Sequence, residues 1–348
     1  MADQPEPLRI VATEEAFATP AQLAAIKAVV DASTDYDPDL FLWKRMAGGG
    51  PLTDALLDLE EERIAIMDAA GIAMHVLALT STGVQMFDVP TAISVASEGN
   101  DLLAAAIARR PDRFCGLATV PVQSPADAVK EIERVVMAGP QLNGVMINSH
   151  TNHEYLSERQ YWPILEAIQA SGKPLYIHPR APNKHMAAAY RPDHLEYAIW
   201  GYAAETGLHG LRMITGGVFE QFPKLQVVLG HMGEGIPYWF YRIDYMHHMT
   251  GQWAETQRAK LSLTPSETFL RNFAITTSGV NWDPPLKYNL EVLGEDRIMF
   301  AVDYPYQETH EAADWIRAAA IPKDARRKIA SENAERIFHI KTNAEAMA

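Results

Sequence analysis

Four short stretches carry side chains able to bind a metal ion or move a proton: Glu14-Glu15, His178, His231-Met232-Gly233-Glu234 and Asp303. Glu14, His178 and Asp303 together offer two carboxylates and one imidazole. That mixed oxygen and nitrogen set suits a divalent cation with positions left open for substrate and water. Its oxygen-rich balance favours Mn²⁺, with Zn²⁺ as the alternative. His231 can serve as acid, base or hydrogen-bond donor, and Glu234, three residues on, can orient it and fix its tautomer. Glu14 and Glu15 are neighbours, and a strand pleat turns only one of them inward. Spacing leaves open which one.

Each stretch lies at or just beyond the end of a short apolar run. Candidate strands are Leu8–Thr13, His75–Leu79, Gly116–Val120, Gly144–Asn148, Pro174–His178, Gln226–Gly230, Phe273–Thr277 and Arg297–Val302. They are apolar throughout rather than alternating, as in a parallel sheet covered on both faces. Helical spacing recurs over Ala55–Ala70, Pro125–Met137, Tyr161–Ala170, Leu195–Ile214, Pro284–Leu293 and Ala312–Ala319. Strands followed by helices, eight times, predict an α/β fold of the (β/α)8 TIM barrel type. Such a barrel needs about 250 residues, so the chain of 348 residues has room for insertions, expected at 18–52, 179–195 and His247–Pro265. An open doubly wound sheet expects a Gly-x-Gly-x-x-Gly turn after its first strand, and none stands there. In a barrel the candidates gather at the C-terminal strand ends, where loops from different strands converge. Gly48-Gly49-Gly50-Pro51 is too short a run to be a linker, so one domain over 1–348 is expected.

Composition narrows the partners. A formal net charge of −14 with no basic run excludes nucleic acid and disfavours an anionic membrane surface. Hydrophobic residues make up 48%, enough for a sizeable core. The lone Cys115 rules out a disulfide framework and a thiolate zinc site within the chain. Neither a signal peptide nor an apolar span is visible, so a cytoplasmic protein is expected. Trp239-Phe240-Tyr241 is apolar enough for a helix face at a subunit contact. Arg242 falls at its edge, where a cation could meet an anionic substrate or make an ordinary ion pair.

Ala12-Thr13-Glu14-Glu15-Ala16-Phe17, Tyr176-Ile177-His178-Pro179, Leu229-Gly230-His231-Met232-Gly233-Glu234 and Val302-Asp303-Tyr304-Pro305-Tyr306 resemble the amidohydrolase superfamily, in its branch of non-oxidative aromatic acid decarboxylases. Ile147-Asn148-Ser149-His150 and Ser331-Glu332-Asn333-Ala334-Glu335-Arg336 share the likeness, which runs from about residue 8 to 340. Within that branch the likeness is nearest to the 5-carboxyvanillate decarboxylases. Ala16 stands where the γ-resorcylate type has a histidine ligand, and Tyr306 where that type tends to have Phe. The resemblance implies a barrel, one divalent metal on Glu14, His178 and Asp303, and a homodimer or homotetramer. It implies that His231 and Glu234 partner Asp303, that Tyr306 contacts substrate, and that Arg242 reaches the substrate carboxylate, from a neighbouring subunit if need be. It also implies a substrate-binding arginine before the second helix, where this chain reads Lys44-Arg45-Met46-Ala47-Gly48-Gly49-Gly50. His178-Pro179-Arg180 is closer to the γ-resorcylate type.

The implied reaction is loss of CO₂ from a hydroxylated aromatic carboxylate in aromatic compound catabolism, such as lignin degradation. Direct loss would leave an unstable aryl carbanion, whereas protonating the ring carbon first avoids it. The metal would chelate the carboxylate and an ortho phenolate, and Asp303 would donate the proton beside His231 and Glu234. A γ-resorcylate (2,6-dihydroxybenzoate) substrate is the first alternative, and hydrolysis of a lactone or amide by a metal-bound water the second.

Overall fold

The apolar runs form parallel strands: β1 (Val11–Phe17), β2 (Met74–Leu79), β3 (Phe114–Gly116), β4 (Ala118–Thr119), β5 (Val145–Asn148), β6 (Leu175–His178), β7 (Val227–Leu229), β8 (Phe273–Thr276) and β9 (Ile298–Met299). This is a computed structural model, and it describes residues 8–138, 142–253 and 259–340. β3 and β4 are one strand interrupted at Leu117, whose N–H still donates to the Leu77 carbonyl at 2.8 Å. Eight strand positions result, ordered β1-β2-β3 and β4 through β9, with every pairing parallel. The ring is completed between its first and last strands by single contacts rather than a ladder. Thr13 N–H donates to Phe300 O at 3.1 Å and Ala16 N–H to Tyr304 O at 2.7 Å. The fold is the expected (β/α)8 barrel.

Two buried clusters divide the strands by face. Val11, Val76, Ala78, Leu117, Met146, Tyr176, Val228, Ala274 and Met299 fill the barrel, and Phe338 and Ile340 from the chain's end pack onto them. The alternate residues, among them Leu77, Ile147, Ile177, Leu229 and Ile275, face the helices. Both faces are buried, which is why the strands read as continuous apolar runs.

Boundaries differ from the sequence reading in instructive ways. β1 begins three residues later than predicted and runs on through Phe17, so Glu14 and Glu15 lie within the strand rather than after it. Ala55–Ala70 is two helices, Pro51–Leu57 and Glu61–Ala70, broken at extended Asp58. The helix expected from Leu195 starts at Gly201. The 21-residue helix Val89–Arg109 shows only a weak apolar period in its sequence, because its buried face carries Ala92, Ala96, Gly99, Asn100 and Ala106 among few large apolar residues. The insertions at 18–52 and 179–195 hold the helices Pro20–Ala32, Leu40–Ala47 and Lys184–Tyr190. At His247–Pro265 the helix Phe240–Gly251 runs in from the N-terminal side, and residues 254–258 lie outside the described residues. Among the described residues no helix is long and apolar enough to cross a membrane.

Candidate active site

A bulge in β1 decides between the two adjacent glutamates. Val11 pairs with Met74 and Ala12 with His75, but the register slips before Glu15 meets Leu77 and Ala16 meets Ala78. Val11 and Ala78 both face the barrel interior. The inward positions of β1 therefore switch from odd to even across the slip, which turns Glu14 inward. Glu15 accepts the N–H groups of Val302 at 2.9 Å and Tyr304 at 3.0 Å and so ties β1 to the last strand. Burial pushes its carboxyl up to about 7, against those two hydrogen bonds.

Glu14, His178 and Asp303 meet at the C-terminal mouth, with one potential ligand atom from each lying within 4.8 Å of the others. His178 follows Tyr176 on the inward face of β6. Its Nδ1–H donates to Pro179 O at 2.8 Å, which leaves the Nε2 lone pair toward Glu14 Oε1 at 3.5 Å. Glu14 Oε1 is buried with no hydrogen-bond partner. An unpartnered carboxylate oxygen is costly inside a protein, and a dication facing this imidazole lone pair would satisfy it. The donor set thus fits a divalent cation. Gly230 is required beside it, because a Cβ there would stand 2.9 Å from both Glu14 oxygens.

His231 and Glu234 sit on a left-handed turn. Residues 231–235 all have positive φ, at 48°, 57°, 77°, 54° and 75°, and three of the five are not glycine. Such strain persists where the surroundings over-determine it. The turn brings His231 Nδ1 to 3.0 Å from Glu234 Oε1 and leaves Nε2 at 3.9 Å from Asp303 Oδ2. Asp303 is itself left-handed, with φ 77°. The electrostatics separate these groups. For Glu14 burial is opposed and overcome, chiefly by the charge of His231 with the hydrogen bond from Tyr176 beside it, so it titrates below the usual range. Burial lifts Asp303 above that range despite His231. Burial disfavours the His231 charge, yet Glu234 and Glu14 hold the imidazolium well above its ordinary pKa.

A cavity of about 450 Å³ opens on this cluster and is lined by His178, His231, Glu234, Asp303 and Tyr306, as the sequence led us to expect. It also holds Phe41, Tyr197 and Tyr202, which the sequence did not single out, and Arg45; they come from the helix Leu40–Ala47, the turn before Gly201 and the first turn of the helix Gly201–Thr215. Arg45 lies in the run Lys44–Gly50, and its guanidinium sits 5.8 Å over Phe41, whose ring meets Tyr197 at 4.9 Å. Tyr306 fixes its hydroxyl against Thr80 Oγ1 at 2.6 Å. Arg242 is different: it is exposed on the helix Phe240–Gly251 and does not line this cavity. Arg180 makes a buried ion pair with Asp39 and likewise lies outside it. Ser149, His209 and Glu205 mimic a nucleophile triad, with Ser149 Oγ 3.3 Å from both partners. There His209 Nε2 accepts from Leu156 N–H, so its proton is on Nδ1 and it cannot take one from Ser149.

Residues 51–340 match the model of the amidohydrolase family, and the chain belongs to it. It is 36% identical over 299 residues to the γ-resorcylate decarboxylase of Polaromonas sp. strain JS666, covering 83% of this chain and 90% of that one. Among solved structures it is similar to the 5-carboxyvanillate decarboxylase of Sphingomonas paucimobilis, with 46% identity, a TM-score of 0.93 and coverage of 96% of this chain and 100% of that one. It is also similar to the 5-carboxyvanillate decarboxylase of Novosphingobium aromaticivorans, solved with manganese and 4-hydroxy-3-methoxy-5-nitrobenzoic acid, at 39% identity and a TM-score of 0.91, covering 95% and 96%.

Proposed function

We propose that this amidohydrolase is a divalent-metal-dependent carboxy-lyase that removes CO₂ from a hydroxylated aromatic acid, with 5-carboxyvanillate or a ring like it as substrate. The observation that carries the reading is the meeting of Glu14 Oε1, His178 Nε2 and Asp303 beneath one cavity, with His231 behind Asp303. Glu14, His178 and Asp303 would hold the cation. Mn²⁺ is favoured by the oxygen-rich set and by the manganese in the Novosphingobium protein, with Zn²⁺ second. When bound, the dication supplies Lewis acidity and a template for the substrate's oxygens.

The chain's own residues then move the proton. Asp303 gives a proton to the ring carbon that bears the carboxylate. Aromaticity is lost briefly, the bond to the carboxylate breaks, its electron pair restores the ring and CO₂ leaves. The proton remains as the new ring hydrogen, so no water is consumed. His231, kept charged by Glu234, resupplies Asp303. Arg45 and Tyr306 line the same cavity, and a cation there suits a ring carrying a second carboxylate better than 2,6-dihydroxybenzoate. The 46% likeness to a 5-carboxyvanillate decarboxylase supports that choice. The γ-resorcylate reading rests on the Polaromonas relative; His178-Pro179-Arg180 adds little to it, since Arg180 is engaged with Asp39.

Arg242 would serve a neighbour's cavity in a homodimer or homotetramer formed through the aromatic face beside it. The single free cysteine, the buried Cys115, suits a reducing cytoplasm, and methoxylated rings of this kind arise from lignin. The deciding experiment incubates Mn²⁺-loaded protein with a panel of hydroxylated and methoxylated benzoates and follows ultraviolet absorbance and CO₂. Carboxyl loss in D₂O with deuterium at the former carboxyl carbon supports decarboxylation. Faster turnover of 2,6-dihydroxybenzoate than of 5-carboxyvanillate overturns the substrate, and hydrolysis of a lactone without CO₂ overturns the reaction.

A further inference from the structure

The two oxygens of Glu14 have unlike surroundings. Oε1 is buried, unpartnered and 3.5 Å from His178 Nε2. Oε2 accepts the Tyr176 hydroxyl and, at 3.0 Å, the Thr276 hydroxyl. Tyr176 and Thr276 also touch one another at 3.1 Å, and Thr276 meets Ser278 at 3.0 Å. Ser278 Oγ in turn accepts the His231 N–H at 3.0 Å. A chain of hydroxyls thus runs beneath the site from β6 across β8 to the His231 turn. Tyr176 is fully buried among the barrel-filling residues, two positions before His178 on the same inward face.

We infer that Tyr176, backed by Thr276, is a positioning residue that makes Glu14 a one-oxygen metal ligand. Its hydroxyl holds Oε2 and aims Oε1 at the cation. The inference rests on the metal reading of Glu14, His178 and Asp303 and says which atom of Glu14 binds. A carboxylate with both oxygens free can chelate through two and fill a position that substrate oxygens would otherwise take. Larger cations, which accept more oxygen ligands, gain most from such chelation. Holding Oε2 on a phenol therefore keeps coordination low and favours Mn²⁺ over Ca²⁺. A tyrosine does this better than water because it is rigid and fixed by the core on every side.

The test is Mn²⁺ and Ca²⁺ affinity of the full chain by chelator competition, with the Mn²⁺ electron paramagnetic resonance spectrum of each loaded protein. Tyr176→Phe keeps the ring in its slot and removes only the hydroxyl. Expected are a roughly 10–100-fold weaker Mn²⁺ affinity, a smaller loss for Ca²⁺ and an altered Mn²⁺ spectrum. Thr276→Val should give a smaller change in the same direction, and Thr276→Ser, which keeps the hydroxyl, should restore wild-type affinity. If Tyr176→Phe fails to fold, the Thr276 pair gives the answer, because Val and Ser there behaving alike would overturn the proposal. Folded Tyr176→Phe with unchanged affinity, ion preference and spectrum would overturn it too. Glu14→Gln separates the premise from the inference. Wild-type protein that binds Mn²⁺ no better than Glu14→Gln sinks the metal reading. A large Glu14→Gln loss beside an unchanged Tyr176→Phe sinks only the role of Tyr176.

Discussion

His231 Nε2 lies 3.9 Å from Asp303 Oδ2 while its Nδ1 holds Glu234 at 3.0 Å. The second contact is a charge-assisted hydrogen bond; the first is an ion pair without one. The imidazole is thus anchored on its far side and free to close on Asp303 from its near side. Proton delivery in the proposed reaction depends on this asymmetry, because Asp303 must be recharged after each turnover.

Asp303→Asn removes the acid while keeping an oxygen that can still reach the cation. Turnover should fall by at least about 10²–10⁴-fold, the usual range for a general acid, while circular dichroism shows a folded protein. CO₂ release at a near-wild-type rate, with metal content intact, would show that another group protonates the ring.

Glu234→Gln tests the recharging step through pH. Glu234 is among the charges that hold the His231 imidazolium well above its ordinary pKa against burial. A charged donor is lost as pH rises through its pKa, so weakening that support must start the loss at lower pH. The basic limb of kcat/KM against pH should move down in the variant, and a limb that stays in place excludes His231 as the donor.

The barrel was legible because strands buried on both faces must be apolar at every position, and eight such runs stand out in the sequence. His178, His231 and Asp303 were legible because strand ends are where a barrel exposes polar side chains. Which glutamate faces inward was not. Without the slip between Ala12 and Glu15, the parity set by Val11 would turn Glu15 inward, and a bulge leaves no mark in residue type here. Phe41, Tyr197 and Tyr202 were missed for another reason, and Arg45 was read only as part of the run Lys44–Gly50. They reach the cavity from the helix Leu40–Ala47, the turn before Gly201 and the first turn of the helix Gly201–Thr215, whose placement is set by tertiary packing rather than by periodicity.

Glu15 yields a stability prediction. Burial lifts its carboxyl to about 7 in the folded chain, against about 4.3 unfolded. Between those values the folded chain binds more protons, so the Glu15 contribution is full below the unfolded pKa and is lost as pH rises through 7. Glu15→Gln cannot titrate and leaves either the Val302 or the Tyr304 N–H without an acceptor, at a cost of about 1–3 kcal/mol. Urea unfolding should find the variant less stable, with the gap to wild type narrowing between pH 5 and pH 8. A gap that widens with pH contradicts this account.

Arg45→Gln probes the second carboxylate. If Arg45 meets it, KM for 5-carboxyvanillate should rise about 10-fold or more, as for a lost hydrogen bond to a charged group. KM for 2,6-dihydroxybenzoate, which has no such group, should stay within twofold. Equal effects on both substrates would place Arg45 against the reacting carboxylate, or nowhere near the ring.

Arg242 does not line its own cavity, and the helix that carries it presents Tyr241 at 84% and Tyr245 at 51% exposure, with Trp239 at 60% just before it. So large an aromatic face beside a cation is what a self-complementary contact uses. If a second copy covers it and lends Arg242 to the neighbouring cavity, Arg242→Ala should lower kcat/KM with the metal site unchanged, and dilution to monomers should do the same to wild type. Mixing decides between lending and mere bystanding. Arg242→Ala and Asp303→Asn subunits should each have little activity alone. Co-assembled at equal amounts as dimers, they should recover about a quarter of wild-type activity, because half the dimers pair an intact Asp303 with a partner's Arg242 at one of two sites. No recovery in the mixture, with hybrids verified by mass, would mean that Arg242 acts within its own subunit or only through assembly.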